Sequence, residues 1–103
     1  MMLSAILLAA AGPTYLRCYF GPERTEAIIT ADEPNSTVSV TVPNTGHAAK
    51  VSGAFSPTEL RFRDDMISYV ISRTDLSAAR TINMINSTEK GQCKVEQAPK
   101  RAF

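Results

Sequence analysis

The sequence predicts an all-β protein, an antiparallel meander of seven or eight short strands that closes as a small barrel or sandwich. Three observations predict it. Apolar and polar residues alternate over short runs, turn residues interrupt those runs at intervals of roughly ten residues, and the connections are too short for parallel crossovers. No segment carries a long helical period.

The strands follow one another in order. Thr14–Phe20 is rich in aromatic residues and stops at Gly21-Pro22. Thr25–Thr30 contains Ile28 and Ile29 and runs into the turn cluster Asp32-Glu33-Pro34-Asn35. Ser36–Val42 is the clearest strand, since Val38, Val40 and Val42 alternate with Ser39 and Thr41. Pro43-Asn44-Thr45-Gly46 closes it with turn chemistry. Val51, Gly53 and Phe55 then share one face, before Ser56-Pro57-Thr58 interrupts.

Glu59–Arg73 reads as a β-hairpin around Asp64-Asp65. Leu60, Phe62, Ile67, Tyr69 and Ile71 form its apolar side, while Arg61 and Arg63 lie on its wet side. Ile82 and Met84 mark a further strand within Arg80–Ile85, with a short helix at Leu76–Arg80 as the alternative. Gly91–Glu96, carrying Cys93 and Val95, is the last strand.

At 103 residues the chain has room for one domain. Residues 12–96 form it, followed by a polar, basic tail over 97–103. Residues 1–11 carry no charge, place Leu3, Ala5, Ile6, Leu7 and Leu8 in an apolar run, and end in Ala9-Ala10-Ala11. That is a signal-peptide pattern, although no Lys or Arg precedes the apolar run. The run falls short of the roughly 20 residues needed to span a bilayer, so no transmembrane anchor is expected. The expected location is periplasmic or secreted.

Two cysteines suit that compartment. Cys18 and Cys93 stand 75 positions apart, near the two ends of the domain, and are expected to form its one disulfide. A loop of that length corresponds to about 4 kcal/mol in the chain-entropy model.

The net charge of +1 offers no field to steer the protein onto nucleic acid. No cofactor is expected, and no metal site, because two cysteines and the distant His47 lack zinc-ligand spacing. His47, the only histidine, stands beside a turn and reads as a solvated loop residue. Ser52, His47 and Asp64 supply the residue types of a hydrolase triad, a choice without specificity among so many serines and aspartates. The paired carboxylates Asp32-Glu33 and Asp64-Asp65 read as turn residues rather than as an acid–base pair. No catalytic residue is assigned.

What remains is a binding surface. Arg61, Arg63 and Arg73 surround one predicted hairpin and suit a carboxylate, a phosphate or an acidic exported protein. Tyr15, Tyr19 and Phe20 cluster around Cys18 and are read as packing on the disulfide.

Two resemblances add to this. A cysteine in the first mature strand, a series of short strands, Gly91-Gln92-Cys93 and the tail Lys100-Arg101-Ala102-Phe103 resemble small exported bacterial β proteins of unassigned function. Tyr15-Leu16-Arg17-Cys18 and Val51-Ser52-Gly53-Ala54-Phe55 resemble segments of periplasmic inhibitors of C-type lysozyme. The first cysteine motif is one residue longer than in those inhibitors, and Phe55 stands earlier than their tyrosine. The second resemblance implies an antiparallel barrel and nominates Ser52 as a contact residue. The expected function is therefore a non-enzymatic exported binding or structural protein, with a lysozyme inhibitor second and a small hydrolase third.

Overall fold

A computed structural model describes residues 12–97. The expected signal peptide over 1–11 and all but the first residue of the expected tail lie outside these residues. The chain forms eight strands: β1 (Thr14–Phe20), β2 (Thr25–Asp32), β3 (Thr37–Val42), β4 (His47–Phe55), β5 (Glu59–Asp64), β6 (Ile67–Ser72), β7 (Ser77–Ile82) and β8 (Ser87–Glu96). Each pairs antiparallel with the next, and β8 pairs back on β1, so the meander closes into a barrel.

Alternation decides which side chains fill it. On β3 the valines at 38, 40 and 42 are buried and the hydroxyl residues between them face out. On β5 Leu60 and Phe62 are buried, with Arg61 and Arg63 exposed between them. Tyr69 is the largest fully buried side chain. It stacks on Phe62 at 4.7 Å between ring centroids and meets the edge of Phe20 at 5.8 Å. Eight strands leave an interior that side chains of this size can fill.

The seam between β1 and β8 carries the disulfide. Cys18 and Cys93 are direct partners in the register, both buried, and their sulfurs are bonded. The cross-link therefore fastens the one ladder that joins the two ends of the domain.

Several expected boundaries move. Residues 76–80 are not helical: β7 occupies Ser77–Ile82, and Met84 and Ile85 fall in the following turn, exposed. Apolar character misled the reading there, because Asn83 and Asn86 set the turn while Met84 and Ile85 sit on its tip. The last strand starts at Ser87 rather than Gly91, β2 runs on to Asp32, and β4 starts at His47. Polar residues hide those strand ends, since pairing depends on backbone groups rather than side-chain apolarity.

An up-and-down barrel has two ends. One carries the turns β1–β2, β3–β4, β5–β6 and β7–β8. The other carries Gly12, the turns β2–β3, β4–β5 and β6–β7, and the exit of β8. The two ends differ in chemistry.

Candidate functional site

The first end carries a polar cluster beside the buried Phe20 and Val42. Strand alternation carries inward from Leu60 and Phe62 to Asp64, from Ala78 to Arg80, and from Cys93 through Gly91 to Glu89. Arg80 Nε donates to Glu89 Oε1 at 2.6 Å, and the guanidinium lies 5.3 Å from the Phe20 ring centroid. Asp64 is buried, and its Oδ2 lies 2.7 Å from His47 Nε2.

Only three register pairs join β4 to β5, from Gly53–Phe62 to Phe55–Leu60. His47 and Asp64 join the same two strands beyond the end of that ladder. Burial pushes the Tyr69 hydroxyl up from its ordinary value, Arg80 opposes the rise, and the Asp64 carboxylate adds to it.

Two expectations are corrected here. Asp64 is not a solvated turn residue but the buried last residue of β5, and Asp65 alone enters the turn. His47 is not in a loop but begins β4, with its ring half exposed and bonded to Asp64. The structure thus brings two members of the Ser52–His47–Asp64 set together. Ser52 itself is exposed on the outer face of β4, opposite to the face from which His47 reaches Asp64, so these residues form no triad.

The second end is an apolar mouth. A cavity of about 390 Å³ opens there, floored by Leu16, Leu60 and Ile71, with Phe55, Leu76 and Val95 around it. Val95 is 60% exposed at its edge. Arg73 Nη2 donates to Glu33 Oε1 at 2.8 Å, and Nη1 donates to Glu33 Oε2 at 3.2 Å and to the Ser56 carbonyl at 2.8 Å. Glu33 stands in the β2–β3 turn and Arg73 in the β6–β7 turn, on opposite sides of the ring of strands. The pair is therefore a polar strap at the mouth, and Arg73 holds the Glu33 carboxyl below its ordinary range.

The three arginines of the expected binding strip do not act as one. Arg61 and Arg63 remain together on the outer wall of β5, where Arg61 pairs with Glu59 and Arg63 Nε donates to the Asp65 carbonyl at 2.9 Å. Ser52 and Ala54 are exposed on the neighbouring wall of β4, with Ala54 opposite Arg61. Arg73 belongs to the mouth. Hairpin proximity in sequence suggested a shared face, but Arg73 lies past the end of β6 and turns onto β2–β3 instead.

Sequence reading missed Arg80, Glu89 and the buried state of Asp64. The signal was available: the two-residue period of each strand, carried from Phe62 to Asp64, between Ala78 and Ile82 at Arg80, and from Gly91 back to Glu89, places all three inside. Among the described residues, no group of three or more His, Cys, Asp or Glu side chains is placed to hold a metal ion. No helix among the described residues is long and apolar enough to cross a membrane.

Comparison with known proteins finds no matching family model, no matching curated protein and no matching solved structure.

Proposed function

We propose that this is an exported, non-enzymatic binding protein whose barrel mouth receives the apolar part of a ligand or of a partner's side chain. The observation that carries the reading is the cavity of about 390 Å³ lined by Leu16, Phe55, Leu60, Ile71, Leu76 and Val95. Concave apolar sites with a few polar groups at the rim are the usual form of a ligand site, and barrel mouths are a common place for them. Export is supported by the leader-like composition of residues 1–11 and is compatible with the disulfide.

The test uses an uncharged apolar dye, N-phenylnaphthylamine. The expected result is saturable binding that Val95→Glu weakens at least tenfold, because a carboxylate at the rim would have to be desolvated against the dye. Val95 is exposed, so the fold tolerates the change. Equal binding by the two proteins would overturn the mouth as the site. For export, mass spectrometry of the extracytoplasmic fraction should find a chain beginning near Gly12 with the two cysteines oxidised. Recovery of only the full-length, reduced chain from the cytosol would contradict it.

A second reading, inhibition of C-type lysozyme, is supported by the exposure of Ser52 on an outer wall of an antiparallel barrel. Unchanged lysozyme turnover at high molar excess of the protein would remove it.

A further inference from the structure

A groove of about 550 Å³ runs along the outside of the β1–β8 seam and under the β1–β2 turn. Its lining includes four cations, Arg17, Arg24, Lys90 and Lys94, together with Tyr19 and Gln92, and no carboxylate. In a chain whose net charge is only +1, that is a marked segregation of sign.

The fold explains where the acids went. Glu89 precedes Lys90 but points inward, where it is taken by Arg80. Glu26 and Glu96 flank the groove and are both taken by Arg17. The hydrogen bond to Glu96 raises Arg17 from its ordinary value and lowers Glu96, as expected for a satisfied ion pair. Glu23 lies in the adjoining hollow on the far side of Arg24, with Glu26, Pro43 and Asn44, and makes no salt bridge to it. Lys94 lies 3.9 Å from Glu96, a loose contact.

Two full positive charges are left over. Among the described residues, neither Arg24 nor Lys90 makes a salt bridge. Arg24 is also positioned: its guanidinium carbon lies over the Tyr19 ring, 4.8 Å from the centroid, a contact that uses the face of the cation rather than an N–H acceptor partner. The backbone amide of Gly21 donates to the Lys90 carbonyl at 2.9 Å, which holds the β1–β2 turn against the base of Lys90.

We propose that this groove binds a phosphate monoester dianion, with the Arg24 guanidinium and the Lys90 ammonium as its two principal partners. A monoester carries close to two negative charges at neutral pH and offers three acceptor oxygens. That matches two unneutralised cations, one of them a planar fork suited to phosphate oxygens. Lys94 adds charge at the far end of the groove. The site is on the outer wall and is independent of the apolar mouth.

The experiment titrates the whole protein with phenyl phosphate while backbone amide shifts are followed by NMR, and in parallel measures binding to phosphatidylcholine vesicles with and without phosphatidic acid. Saturable shifts confined to β1, β8 and the β1–β2 turn are expected. Arg24→Gln with Lys90→Gln should weaken binding at least tenfold. Arg61→Gln with Arg63→Gln, which removes the same charge from another wall, should leave it unchanged. Binding of phenyl phosphate with no preference for phosphatidic acid identifies a soluble ester, and vesicle binding that the groove variant abolishes identifies a lipid headgroup. Equal losses in the two double variants, or no saturable binding to either probe, would overturn the proposal.

Discussion

Buried charge in a barrel this small falls on a few side chains whose partners are specific. Arg80 keeps only 11% of its side chain exposed and is matched by Glu89. Removing one member of such a pair leaves the other without its partner in a poorly solvated place, which is where large mutational losses arise. Arg80→Ala should therefore lower unfolding free energy by roughly 3 kcal/mol in urea titration. An unchanged midpoint would show that Glu89 finds another partner. The exposed strap at the mouth behaves differently, because solvent screens it. Glu33 is held low by Arg73, so its contribution is full above the ordinary carboxylate pKa and is lost as pH falls through the lowered folded value. Glu33→Gln should accordingly lower Tm slightly at neutral pH, leave it unchanged below the lowered folded value, and so flatten the acid limb between them. A variant with the same acid limb would show that Glu96 and Asp75, also held low, carry it.

Turns and strand ends show how far local chemistry reaches. Five hairpin connections end on a residue in the left-handed region: Arg24, Ser36, Gly46, Leu76 and Asn86, with φ between 52° and 75°. Glycine adopts this region without a Cβ clash, and only Gly46 supplies it. Ser36→Gly should raise stability by up to about 1 kcal/mol, read as an increase in Tm, because the strain it relieves exceeds the added chain entropy. No increase would mean that the entropy term cancels it. Gly91 is the opposite case. A Cβ there would meet the Tyr19 carbonyl oxygen and the Phe20 ring, so Gly91→Ala should cost about 1–3 kcal/mol by overpacking the seam. Strand existence was legible from alternation, as β3 and β5 show. Strand ends were not, because Asp64, Arg80 and Glu89 are polar and look like turn or surface residues until the register continues inward.

At the scale of the molecule, closure rests on the β1–β8 ladder and its disulfide. Cys18→Ala with Cys93→Ala should lower stability by about 4 kcal/mol in denaturant, the loop entropy released to the unfolded chain. A loss under 1 kcal/mol would assign closure to the ladder and core alone. A meander of seven or eight short strands and its short turns were legible in the sequence, because period-two alternation and turn residues are local signals, and two cysteines near the ends of the domain pointed to the disulfide that joins them. Barrel rather than sandwich was decided only by pairing β8 onto β1 in the register that sets Cys18 opposite Cys93. The same is true of the candidate sites. Arg73 strapped to Glu33, Asp64 bonded to His47, and the acid-free groove beside Tyr19 all join residues from separate strands or turns. Such contacts depend on curvature and on which face each strand turns inward, and neither quantity is encoded at any single position along the chain.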